Sequence, residues 1–114
     1  MLDGAGLHLM VDSRTQMAFT KDYLERYMAD LVDLVGMHII MGPTVVGAHG
    51  AWDGWAMAES HVAVHVRAGT VRLDCFSCKP FDTGLAAGFM VQRLKLTNAV
   101  FQVIERPMPE PLEG

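Results

Sequence analysis

The segment Glu59-Ser60-His61-Val62-Ala63-Val64-His65 places a hydroxyl directly after a glutamyl carbonyl and follows it with two imidazoles. A serine in that position can attack the preceding carbonyl if the peptide is strained and a proton acceptor is at hand. The amide becomes an ester, the ester eliminates, and the downstream chain is left with a pyruvoyl group at its new N-terminus. Such a ketone condenses with a substrate amine and takes up the electrons released when carbon dioxide departs, the task that pyridoxal phosphate performs elsewhere. A Glu-Ser pair alone says nothing, because an isolated serine of this kind is ordinarily a surface or strand-edge residue. Its surroundings decide.

Val62, Val64 and Val66 alternate as in a strand, Arg67-Ala68-Gly69-Thr70 reads as a turn, and Val71 to Phe76 reads as the return strand. If the turn pairs Val66 with Val71, then His65 faces Arg72 and Ser60 falls opposite Ser77, beside Cys78. This register predicts Ser60 and Cys78 at the same end of a sheet. A thiol there could deliver a proton to the carbanion left by decarboxylation. The same geometry creates a conflict. On a straight strand Ser60 and His65 lie ~16 Å apart, at about 3.3 Å per residue, and on opposite faces. For His65 to assist cleavage of its own strand, Glu59-Ser60 must sit in a turn folded back over it.

His61-x-x-x-His65 and Cys75-x-x-Cys78 also supply four zinc-type ligands. On an extended strand the two histidines are ~13 Å apart, too far to share one ion, and the valines between them favour strand over helix. Cys75 and Cys78 diverge at odd spacing unless a turn intervenes. No metal site is expected, and no redox pair, because the cysteines do not open a helix after a strand. His8 reads as a structural polar group, His38 and His49 as surface or loop residues.

The elements that must position these residues follow from periodicity. Leu7 to Val11 is a strand. Phe19, Tyr23, Tyr27, Leu31 and Val35, joined by Leu24, Met28 and Val32, form the apolar stripe of a helix that Gly36 stops. Met37 to Met41 is a strand closed by Gly42-Pro43 and extended by Thr44 to Val46, before a glycine-rich turn from Gly47 to Gly50. Trp55 to Ala58 and His61 to Val66 are strand on either side of Glu59-Ser60. Asp82 or Thr83 caps a second helix running to about Leu96, with Leu85, Phe89 and Met90 inward. Ala99 to Ile104 is the last strand, and the tail from Pro107 is loose. The order β-α-β-β-β-α-β predicts an α+β two-layer sandwich, a mostly antiparallel sheet with two helices on one face.

A chain of 114 residues, half of them apolar, fits a single domain spanning 1–114. The net charge of −4 excludes the basic face that nucleic-acid binding requires and suits a cationic small molecule. No apolar run approaches the ~20 residues of a membrane span. No signal peptide is evident, and two cysteines without secretory context suggest reduced thiols in a cytoplasmic protein. Nine methionines are read as adaptable core filling.

Three segments together resemble a known family: Gly6-Leu7-His8-Leu9, Ala58-Glu59-Ser60-His61-Val62-Ala63-Val64-His65, and Asp74-Cys75-Phe76-Ser77-Cys78-Lys79-Pro80-Phe81-Asp82. In order and over nearly the whole chain, they are similar to the prokaryotic S-adenosylmethionine decarboxylase proenzymes. The resemblance implies cleavage between Glu59 and Ser60 into chains 1–59 and 60–114, with the pyruvoyl cofactor made from Ser60. It implies His65 as proton acceptor in processing and Cys78 as proton donor in decarboxylation. It further implies a substrate bearing an α-amino acid group, a homodimer of processed units with active sites at the subunit interface, and a product used in polyamine synthesis.

Three features depart from that pattern. The family follows its second histidine with a segment ending in Pro-Glu, whose glutamate helps recognise ribose. Here His65-Val66-Arg67-Ala68-Gly69-Thr70 is two residues shorter and lacks it. Asp53, in Trp52-Asp53-Gly54, stands where the family has a serine that assists processing. No aromatic lies between Pro43 and Gly50 to stack on adenine, leaving Trp52 or Trp55 for that task. The losses fall on the nucleoside side, so two alternatives stand beside S-adenosylmethionine. One is a related pyruvoyl-dependent decarboxylase of ornithine or arginine; the other is a non-processing relative that serves as a regulatory or partner subunit.

Overall fold

Strand alternation builds a sheet with one dry side and one wet side. In the computed structural model, which describes residues 6–58 and 60–106 apart from the side chains of Ser60 and Arg106, the strands are β1 (Gly6–Arg14), β2 (Met41–Ala48), β3 (Ala51–Met57), β4 (Ser60–Arg67), β5 (Thr70–Ser77) and β6 (Thr97–Arg106). They form one antiparallel sheet in the order β2-β3-β4-β5-β1-β6. Leu9 and Val11 of β1, Val62, Val64 and Val66 of β4, and Val71, Leu73 and Cys75 of β5 are buried on one face. Helix α1 (Lys21–Leu34) covers that face over β2, β3 and β4, while α2 (Thr83–Leu94) packs on β1 and β6 and against α1. The expected two-layer α+β sandwich with both helices on one side is what the chain forms. No helix among the described residues is long and apolar enough to cross a membrane.

Each helix is delimited by local chemistry. Thr20 caps α1, its hydroxyl accepting from the Tyr23 N–H at 3.1 Å. Gly36, at φ +82°, turns the chain so that the Met37 N–H reaches back to the Val32 carbonyl at 3.0 Å. The buried stripe is Leu24, Tyr27, Met28, Leu31 and Val32. Phe19 precedes the cap instead of opening the helix, although it is still buried. Asp82 caps α2 through the Leu85 N–H at 2.9 Å, and Lys95 ends it in the left-handed region. With that start, Ala86, Met90 and Leu94 line up inward at intervals of four residues, so Leu85 is exposed, contrary to the expected inward face. Phe89 stacks on Tyr27 at a centroid distance of 5.9 Å.

The strands differ from the expectation in number and extent. Trp55 to Val66 belongs to two antiparallel strands, β3 and β4, with Met57 opposite His61, which makes six strands in place of five. β3 begins at Ala51 because His49 and Gly50, at φ 44° and 81°, form a two-residue turn that lets β2 and β3 pair directly. Residues 37–39 are outside β2, with Met37 in the core. Gly42-Pro43 lies within β2 at a register shift; β2 is an edge strand, where a residue without an N–H is tolerated. The tail from Pro107 lies outside the described residues.

Gly54 lies on the covered face of β3 beneath α1. A Cβ there would sit 2.9 Å from Met28 Cε, 3.0 Å from Val45 Cγ2 and 3.1 Å from Val64 Cγ1. Met28 can swing aside, but the two valines are stiff at χ1. Gly54→Val is therefore expected to destabilise the fold by about 1–3 kcal/mol through overpacking, read as a lower urea midpoint at unchanged slope.

Candidate active site

Residues that alternate with the buried ones form the uncovered face of the sheet. Asp53, His65, Arg72 and Asp12 occupy successive paired positions across β3, β4, β5 and β1. The next row holds Trp55, Ala63, Asp74 and Met10; the one after it holds Met57, His61, Phe76 and His8. A concavity of about 430 Å³ is lined by Asp53, His65, Arg67, Thr70, Arg72 and Asp74. Charged groups on this face are paired: His65 Nδ1 lies 2.8 Å from Asp53 Oδ1, Arg67 donates to Asp53 Oδ2 at 2.7 Å, and Arg72 Nε donates to Asp12 Oδ1 at 2.8 Å. The hydrogen bond from Arg67, then that with His65, holds the Asp53 carboxyl down at about 2, so it is ionised at any working pH.

Nearer the other end of β5, His8 Nε2 is 2.9 Å from Asp74 Oδ1, and the His8 ring meets Phe76 edge-on at 5.9 Å. His61 packs against the same Phe76 at 5.7 Å. His8 and His61 thus flank one aromatic on the open face. The His8–Asp74 pair could not be found from the sequence. It depends on β1 pairing with β5, two strands separated in the chain by α1, β2, β3 and β4.

The β4–β5 register is the one expected from the turn: Val66 pairs with Val71, His65 with Arg72, and Ser60 with Ser77, next to Cys78. Ser77 is buried, and its hydroxyl accepts from the Lys79 N–H at 2.9 Å, which ties down the bend carrying Cys78. Cys78 is exposed, whereas burial pushes the Cys75 thiol up to about 12 and leaves it an inert packing group. Glu59 lies outside the described residues. Since Met57 pairs with His61, the bond between residues 59 and 60 falls in the connection from β3 to β4.

Ser60 and Cys78 are thus brought to one end of the sheet, and His65 is not. β4 runs as paired strand from Ser60 to Arg67 without bending back, so His65 stands five residues, ~16 Å, along it. His38 and His49 are exposed, as expected. Of the two tryptophans, Trp52 packs against the core with its indole nitrogen buried, and only Trp55, 42% exposed, offers a free ring on the open face.

Comparison with known proteins agrees with this architecture. The family model for S-adenosylmethionine decarboxylase matches residues 8–107. The fold is similar to the crystal structure of the adenosylmethionine decarboxylase from Aquifex aeolicus VF5, with a TM-score of 0.74 and 18% identity over 98% of each chain. A search of curated proteins finds no match. A family match extending from His8 past the end of the last strand takes in all of the elements described above but the first two residues of β1, and by it the chain belongs to the S-adenosylmethionine decarboxylase family.

Proposed function

We propose that this chain is a self-processing decarboxylase acting on S-adenosylmethionine, cut between Glu59 and Ser60 and carrying a pyruvoyl group made from Ser60. The observation that carries this reading is the Ser60–Ser77 pair, which sets the residue to be converted beside the exposed thiol of Cys78. The residues present fit the group: the bond to be cut lies in a strand connection, and a thiol stands next to the partner of the position where the ketone would form. When formed, that ketone supplies the electron sink for decarboxylation. Cys78 holds the proton that returns to the substrate α-carbon. Trp55 offers a flat apolar surface to the purine, and Asp74, whose partner is an imidazole, gives the open face a carboxylate that favours a cation.

The position of His65 supports a further part of the reading. It is ~16 Å from position 60 of its own strand, so His65 acts on the cut of a second copy. A homodimer in which the open face of one subunit meets the β3–β4 connection of the other brings the base of one to the serine of the other. This also covers a face otherwise left bare on one side of a six-stranded sheet.

A second substrate class has an observation in its favour. Ala68 and Gly69, at φ 48° and 86°, close β4 onto β5 in a minimal turn, leaving no acidic side chain where the family recognises ribose. Ornithine or arginine, which have no ribose, suit that turn.

Four outcomes test these proposals. Purified protein is expected to convert from one 12.5 kDa species to two chains divided between residues 59 and 60, seen by mass spectrometry, while Ser60→Ala stays whole. A wild-type chain that remains intact after long incubation excludes self-processing, and its co-purification with a processed paralogue then supports a partner subunit. Chains carrying His65→Ala are expected to stay uncut alone and to be cut when co-expressed with Ser60→Ala chains, whose intact His65 serves them; absence of rescue excludes action between subunits. Carbon dioxide release from labelled S-adenosylmethionine, ornithine and arginine at matched concentration identifies the substrate. Cys78→Ala is expected to lower that release ~100-fold or more while leaving the cut itself in place.

A further inference from the structure

We infer that Asp53, braced by Arg67, is a positioning residue that fixes the tautomer of His65. The inference rests on the reading of His65 as the base in processing and goes beyond it, because it assigns a task to a residue that departs from the family pattern.

The geometry leaves one arrangement. An ionised carboxylate can only accept hydrogen bonds, so the 2.8 Å contact between Asp53 Oδ1 and His65 Nδ1 requires the proton on Nδ1. In the neutral imidazole Nε2 is then the unprotonated nitrogen, the atom able to take a proton from a serine hydroxyl. Arg67 supplies the rigidity. One of its terminal nitrogens donates to Asp53 Oδ2 at 2.7 Å, and the other donates to the carbonyls of Val66 at 2.8 Å and Trp52 at 3.2 Å. The guanidinium is therefore pinned to the backbone of both β3 and β4, and through it the carboxylate is turned so that Oδ1 points along the row to His65. Arg72, on the other side of His65, is engaged by Asp12 and does not compete for Asp53. A neutral hydroxyl at position 53 could either donate to the imidazole or accept from it; a carboxylate removes that ambiguity.

Asp53→Asn separates this role from simple support of the fold. With Arg67 still donating, the amide oxygen is drawn to the guanidinium and the NH₂ faces His65 Nδ1, which then must accept, so the proton moves to Nε2. The measurement is nitrogen–proton correlation NMR of the imidazoles in uncut Ser60→Ala protein, at a pH about two units above the ordinary histidine range. The expected result is Nδ1–H for His65 with Asp53 present and Nε2–H with Asp53→Asn. In the cleavable chain Asp53→Asn is expected to slow cutting ~100-fold or more. Adding Arg67→Met frees the amide to turn its oxygen toward His65, and is expected to restore Nδ1–H and part of the cutting rate. An Nε2–H imidazole with Asp53 present, or Nδ1–H retained in Asp53→Asn, overturns the inference. Failure of Arg67→Met to restore Nδ1–H overturns the part given to Arg67. A tautomer that switches while cutting continues unchanged upholds the positioning and instead removes His65 from the processing chemistry.

Discussion

The pairing of β4 with β5, closed by Ala68 and Gly69, is the constraint on which the rest of this molecule depends. A two-residue turn with both central φ values positive matches the twist of the flanking strands and admits one register. That register sets Ser60 beside the bend that bears Cys78, and aligns His65 with Arg72. Moving it by one residue would carry Val62, Val64 and Val66 out of the core and turn the histidines inward. Burial of the three valines thus secures the placement of the polar groups that alternate with them.

The helices complete this division of labour. Both pack on the same side, where the branched side chains of the strands meet Leu24, Tyr27, Leu31, Met90 and Leu94. The opposite side carries apolar residues such as Trp55 and Met57 together with ionisable pairs that bridge neighbouring strands. Exposed pairs of this kind contribute little to stability because water competes for both members. Their value lies in orientation: side chains standing on rigid neighbouring strands are held at fixed separations, which a loop could not guarantee.

Much of this was legible in the sequence. Alternation and helical spacing give the two layers, and turn length gives the register that joins Ser60 to Cys78, because both follow from local geometry. Phe19, Leu85 and the start of β3 were misplaced for one reason: caps and turns set where an element begins, and Thr20, Asp82 and the His49-Gly50 turn override the apolar pattern. The separation of Ser60 from His65 along β4 also follows from strand geometry. The His8–Asp74 pair was out of reach, since no local pattern reveals that β1 inserts between β5 and β6. The role of Arg67 carries no local signal in the sequence. A terminal strand arginine normally reads as solvated, and its bonds to the Trp52 carbonyl and the Asp53 carboxylate exist only once β3 lies alongside.

The insertion of β1 has one more consequence. Severed between β3 and β4, the protein would consist of a piece holding β1, α1, β2 and β3 and another holding β4, β5, α2 and β6. In the sheet these pieces are interleaved: β3 abuts β4, and β1 is clasped between β5 and β6. Three seams of backbone hydrogen bonds would cross the nick, so neither fragment could leave without tearing open the centre of the other. The topology lets a covalent break occur in a protein that remains mechanically whole.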